Sequence, residues 1–268
     1  MDDGRNQPLR VLQLTDTHLY AQQDGALLGL NTEASLLGVI QAALTRHGQP
    51  QLVLATGDLA HDATPESYRR FQKLMEVFEA PVYCLPGNHD EATTLEALYP
   101  ADNVHYAPHC LPGNWLILFL DSSVPGEDGG HLAAAELRRL DETLAAHPDR
   151  HALVCVHHQP VPVGSVWLDT MAIDNADAFF EVIERHPQVR GILWGHVHQA
   201  FEGKRKGVRL MATPSTCIQF AVQSETFAVD NVPPGYRWLE LHADGRIESA
   251  VERVDVMPEG LELASGGY

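Results

Sequence analysis

The chain has 268 residues, 44% of them hydrophobic, enough for one large α/β domain with a substantial core. Its 18 Lys and Arg stand against 36 Asp and Glu, a formal charge of −18, so a polyanion such as duplex DNA would approach against the field and nucleic acid is disfavoured as a partner. The opening MDDGRNQPLR has neither a basic n-region nor an apolar h-region, and the longest apolar run, WLILFL at 115–120, is too short to span a bilayer, so a cytoplasmic protein without a membrane partner is expected.

In chain order, 10–16 (RVLQLTD) reads as a strand, and 32–48 as a helix closed by Gly48. Residues 51–58 (QLVLATGD) are a second strand. The next helix, 64–79, opens with Thr64 as N-cap and Pro65 at its first position, and carries Tyr68, Phe71, Leu74, Met75 and Phe78 on one face. Further strands follow at 81–88, 115–123, 151–158 and 189–196, with helices at 132–147 and 175–186. Several of these strands are nearly continuous in apolar residues, as strands covered on both faces should be. The cysteines Cys84, Cys110, Cys155 and Cys217 form no CxxC, and Cys84 and Cys155 lie inside strand patterns as buried thiols. GKRKG at 203–207 reads as a solvated loop. Beyond 207 strands dominate, two of them joined through the hairpin signal Asp-Gly in HADGR. The tail from Met257 to Tyr268 reads as poorly ordered or draped on the surface. No linker divides the chain, so residues 1–268 form a single α/β domain whose last portion, from about 208 to 268, is distinct in character.

Polar residues gather where the strands end. Asp16-Thr17-His18 follows the first strand, Gly57-Asp58 the second and Gly87-Asn88-His89-Asp90 the third. His157-His158 and Gly195-His196-Val197-His198 follow two later ones. The carboxyl edge of an open α/β sheet is where ligands bind, so neighbouring strands would bring these groups into one crevice. Asp, Asn and His without thiolate suit iron, manganese or zinc. Asp16, His18, Asp58, Asn88, His157, His196 and His198 are too many ligands for one zinc, and Asp58, with two acceptor oxygens, is the natural bridge between two ions.

The ordered blocks DTH, GD, GNHD, HH and GHVH resemble the signature of the calcineurin-like metallophosphoesterase superfamily, D-x-H, G-D, G-N-H-[DE], H and G-H-x-H. Within it, LQLTDTHL, LLGLNT, ATGDLAHD, LPGNHD, ATPSTCIQF and GYRWLELHADG make the chain similar to the class III cyclic nucleotide phosphodiesterases over nearly its whole length. The resemblance implies a four-layer α/β/β/α sandwich of two mixed sheets flanked by helices. It also implies two ions, iron with iron, manganese or zinc: one on Asp16, His18, Asp58 and His198, the other on Asp58, Asn88, His157 and His196.

On the same ground, 3′,5′-cyclic AMP would be cleaved to 5′-AMP by in-line attack of a metal-bridging hydroxide. Asp58 and His89 would be the catalytic pair, His89 donating a proton to the leaving oxygen, and His18, Asp58, Asn88, His89 and His198 would border the substrate. Asp90 would hold the His89 imidazole or cap the next helix. His158 would be structural or support the ligands, and Asp121 would orient a ligand histidine or act as a cap. His61, His131 and His151 are taken as local, with His61 close enough in sequence to reach the crevice. Trp167, in the segment 159–170, either walls the nucleotide or packs in the core, and 214–220 lines the site by family likeness alone. The metal set serves equally for 2′,3′-cyclic nucleotides, glycerophosphodiesters or phosphomonoesters. A non-catalytic scaffold would have lost ligands or His89, and all are present. Cyclic AMP against cyclic GMP, and monomer against homodimer, stay open at this stage.

Overall fold

In the strand Leu9–Leu14, Val11 points to one face and Leu12 and Leu14 to the other, and all three are fully buried. The computed structural model, which describes residues 7–264 and 267, shows where each face goes. Val11 packs with Leu52, Leu54, Trp115, Ile117 and Leu153 in a core shared by two sheets. Leu12 and Leu14 join Val39, Phe71 and Met75 under one set of helices. The same parity runs through Trp115–Phe119, where Trp115, Ile117 and Phe119 face the other sheet while Leu116 and Leu118 face helices with Leu140, Leu144 and Phe179. Each such side chain contributes about 1.5–3 kcal/mol on burial, which is why nearly continuous apolar strands become interior layers.

The first sheet runs in the order Ile247–Arg253, Gly235–Leu241, Leu9–Leu14, Leu52–Thr56, Val82–Leu85, Val104–Tyr106, and the second Phe201–Arg205, Val208–Ala212, Val189–Trp194, His151–Cys155, Trp115–Phe119, His109–Cys110. Each has four parallel strands; the antiparallel ones lie at one margin of the first sheet and at both margins of the second. Helices Thr32–His47, Pro65–Met75 and Ala92–Leu98 accompany the first sheet; Ala134–Ala146 and Ala176–Arg185 cover the second. The architecture is the expected α/β/β/α sandwich. Helix ends obey their signals: the Thr64 side chain accepts from the Ser67 N–H at 3.2 Å, and the Gly48 N–H donates to the Leu44 carbonyl at 2.9 Å. Residues after 208 strengthen both sheets.

One expectation changes and one open alternative closes. GKRKG is not a simple solvated loop: 203–205 complete the strand Phe201–Arg205, Lys206 and Gly207 make the turn, and Arg205 and Lys206 both pair with Glu184. Of the two readings of the tail, its described part follows the second and lies draped on the surface. Met257 and Leu261 pack on the core under the second sheet, and the Glu262 N–H donates to the Leu28 carbonyl at 2.9 Å. The expectation for 265, 266 and 268 falls outside the described residues. All four cysteines are buried and free, and among the described residues no helix is long and apolar enough to cross a membrane.

Candidate metal centre

The carboxyl edges of both sheets meet, and the loops leaving them are stitched together by backbone. Asp16 N–H donates to the Gly57 carbonyl at 3.0 Å and His18 N–H to the Asp58 carbonyl at 2.9 Å within the first sheet. Across the sheets, His196 N–H donates to Asp16 Oδ1 at 3.0 Å, and His157 Nδ1 donates to the Thr56 carbonyl at 2.9 Å. Five of the expected ligands sit in the left-handed backbone region: Asp16 (φ 53°), His18 (44°), Asp58 (50°), His196 (61°) and His198 (47°). For residues with a Cβ this costs about 1–2 kcal/mol each, a strain held in place by the packed strands behind it. Two glycines permit the crowding. A Cβ on Gly57 would lie 2.2 Å from His157 Nδ1, and one on Gly87 would lie 2.1 Å from Asp58 Oδ1.

All seven expected ligands come together, in two groups. In one, His18 Nε2 lies 3.2 Å from His198 Nε2 and 3.6 Å from Asp58 Oδ2, and His198 Nε2 lies 3.5 Å from Asp16 Oδ1. In the other, Asn88 Oδ1 lies 3.2 Å from His157 Nε2 and 3.1 Å from His196 Nδ1, and His157 Nε2 is 3.3 Å from Asp58 Oδ2. Asp58 therefore faces both groups with the same oxygen, because Oδ1 accepts the His89 N–H at 3.0 Å. Carbonyl partners can only accept, so the Thr56 and Ile218 carbonyls hold a proton on Nδ1 of His157 and of His198 and turn Nε2 of each towards the cluster.

The electrostatics ask for cations. Burial pushes His18 and His196 well below the usual imidazole range, so both stand as neutral donors. Burial acts against a charge on His157 too, yet the Asp58 and Asp16 carboxylates hold it up to about 9. Asp58 correspondingly sits well below the usual carboxylate range: burial opposes its charge, and His157, His89 and His18 overcome that. Asp16 Oδ2, fully buried, has no hydrogen-bond partner. Two buried carboxylates, one oxygen orphaned, among neutral imidazole lone pairs fit divalent ions of the first transition row. Asp16, His18 and Asp58 alone place one donor atom each within 4.8 Å of one another.

His89 stands beside this cluster rather than in either group. Its ring meets His18 edge-on at 4.9 Å and stacks on His61 at 4.8 Å. His61 belongs to the site: its Nδ1 lies 3.3 Å from His18 Nδ1, on the ring edge opposite the His198-facing nitrogen. Only its position three residues past Asp58 pointed there, since no strand or helix period covers that turn. Asp90 neither holds the His89 ring nor caps a helix. It accepts the N–H groups of Leu59, Ala60 and Gly87, tying two ligand loops together, while burial and the nearby Asp58 raise it to about 6. Asp121 binds Ser123 locally and touches no ligand histidine. His158, fully buried, pairs with Ser122 Oγ at 2.8 Å and packs its ring on His196 at 4.6 Å.

Against known proteins, the model of the calcineurin-like phosphoesterase family matches residues 9–200. The chain is 40% identical over 259 residues to the 3′,5′-cyclic adenosine monophosphate phosphodiesterase CpdA of Pseudomonas aeruginosa, covering 96% of this chain and 94% of that one. It is 40% identical to the enzyme of that name in Escherichia coli (97% and 95% covered), and 39% identical to a 3′,5′-cyclic-nucleotide phosphodiesterase of Nostoc (92% and 93%). Among solved structures, a dimetal phosphatase of Danio rerio aligns with a TM-score of 0.63 at 16% identity, over 92% of this chain and all of that one. An inner-membrane-complex anchor of Plasmodium, GAP50, aligns at 0.66 and 12% identity (97% and 90%), so the fold alone does not select an activity. By the matched family model and by these near full-length relatives, the chain is a member of the calcineurin-like phosphoesterase family.

Proposed function

We propose that the chain is a 3′,5′-cyclic AMP phosphodiesterase releasing 5′-AMP, with one ion on Asp16, His18, Asp58 and His198 and a second on Asp58, Asn88, His157 and His196. The observation that carries the reaction class is the pair of donor groups sharing Asp58 Oδ2. The substrate rests on relatives named for it at 40% identity over nearly the full length of both chains. Iron with iron, manganese or zinc suits this oxygen and imidazole set. Ions bound there supply Lewis-acid polarisation of the phosphoryl oxygens and bring the pKa of bound water towards neutrality.

The chain's own groups do the rest. The Thr56 and Ile218 carbonyls hold His157 and His198 in one tautomer, and the His89 N–H holds Asp58 in one rotamer. Hydrolysis joins a water oxygen to phosphorus and breaks the bond to the ribose 3′ oxygen. The His89 imidazole, half-buried at the mouth and outside both groups, delivers the proton that oxygen needs. Two divalent ions held against the Asp16 and Asp58 carboxylates would leave the site locally positive, which would favour a cyclic nucleotide monoanion despite the acidic surface.

Protein reconstituted with iron or manganese, incubated with 3′,5′-cyclic AMP and resolved by chromatography, is expected to release 5′-AMP, and Asp58→Asn none. Turnover of an aryl phosphodiester without turnover of cyclic AMP would keep the reaction class and reject the substrate.

A further inference from the structure

A cavity of about 230 Å³ opens beside the donors, with Asn88, His89 and His196 on one side and Trp167, Met171 and Phe227 on the other. Trp167, Phe220 and Phe227 form a trio of edge-to-face pairs, with centroids 5.0, 5.3 and 5.5 Å apart. Phe220 is buried and stacks flat on the candidate ligand His198, 4.2 Å away at 13°, so the aromatic cluster is continuous with the metal centre. Trp167 and Phe227 are only half-buried, which leaves aromatic surface beside a polar site.

This wall is held in register with the donors. Gln199, which follows His198, is buried and donates from its side chain to Ser165 Oγ and to the Ala221 carbonyl, each at 3.1 Å. Gln159, which follows His157 and His158, donates to the Leu168 carbonyl at 2.7 Å. Asp169 accepts the N–H groups of Val163 and Gly164, and the Val166 N–H donates to the Ser224 carbonyl. Two donor-bearing segments thus extend directly into the anchors of the short helix Val166–Asp169 that carries Trp167. The aromatic wall and the donor atoms are thereby kept at a fixed separation.

We infer that Trp167 and Phe227 form the subsite for the heteroaromatic base of the nucleotide, an assignment that rests on the substrate class proposed above. Every base has a π-face, so stacking recognises a base without reading its edges. Stacking on this wall does not by itself separate adenine from guanine, so cyclic AMP and cyclic GMP are expected to differ by no more than about tenfold in kcat/KM.

The test compares cyclic AMP with ribose 3′,5′-cyclic phosphate lacking the base, in wild type, Trp167→Ala and Trp167→Phe, with metal content measured throughout. In Trp167→Ala the ratio of kcat/KM for cyclic AMP to that for the base-less substrate falls by about 5- to 150-fold, mostly through KM, and Trp167→Phe restores most of it. Equal losses on both substrates, or no loss on cyclic AMP, would overturn the assignment. Phe227→Ala makes the same comparison if Trp167→Ala does not fold. Equilibrium dialysis with labelled adenosine gives a readout free of turnover: wild type retains it, and Trp167→Ala weakens retention. Adenosine that fails to bind wild type would also reject the subsite. Adenosine binding without cyclic AMP hydrolysis would instead reject the proposed reaction and leave the subsite standing.

Discussion

The two donor groups differ in enclosure. Asp16, His18 and His198 are at most 1% exposed, and His61 backs the His18 ring. Asn88 is half-buried and His196 is 6% exposed, and both border the cavity. Ions held there would be retained in the first group and more accessible in the second, on the side of Asn88 and His196 rather than of the fully buried His157. In a buried half, any donor without a cation is costly, so an ion there would be held hard. In the open half, water competes for the donors and a substrate oxygen can enter.

Substitutions and metal removal sharpen or break this contrast. The largest effect is expected from Asp58→Asn, which removes the carboxylate facing both halves: turnover falls to background, and elemental analysis finds neither ion at full occupancy. His89→Ala comes next, retaining both ions while lowering kcat on cyclic AMP by about 10²–10⁴-fold, with a smaller loss on p-nitrophenyl esters, whose leaving group needs no proton. An equal loss on both leaving groups would remove His89 from the protonation step. Asn88→Ala is expected to empty the open half alone, and graded chelation of the wild type should strip one ion before the other. Simultaneous loss of both ions would break the contrast. His61→Asn has the smallest effect, weakening the enclosed ion by about 10–100-fold with the open half unchanged, measured by competition with a chromogenic chelator.

The parts legible in the sequence were those where a short-range rule is enforced by the core. Apolar runs at 10–16, 51–58, 151–158 and 189–196 became strands buried on both faces, and the polar residues ending them met at one edge. The Thr64-Pro65 start and the Gly48 stop held because capping is local. What escaped depends on distant partners. Asp90 reads as a helix cap until the N–H groups of Leu59 and Ala60, some thirty residues earlier, claim its side chain. The alternatives for Trp167, core or wall, could not be separated in sequence because Phe220 and Phe227 lie more than fifty residues beyond it. GKRKG looked solvated because its charges hide a hairpin whose partner strand, Val208–Ala212, alone is half-buried. The anchoring of Met257 and Leu261 likewise follows from the buried core under the second sheet rather than from local composition.

The hydrogen bond from His196 N–H to Asp16 Oδ1 joins positions 180 apart in sequence, and each sheet supplies part of every donor group. During synthesis, the emerging first sheet can present Asp16, His18, Asp58 and Asn88 but neither half-site complete. The last imidazoles arrive only with residue 198, and the first sheet itself gains its margin only with 235–253. A centre drawn from both layers is therefore incomplete in any nascent chain or fragment that ends before residue 198.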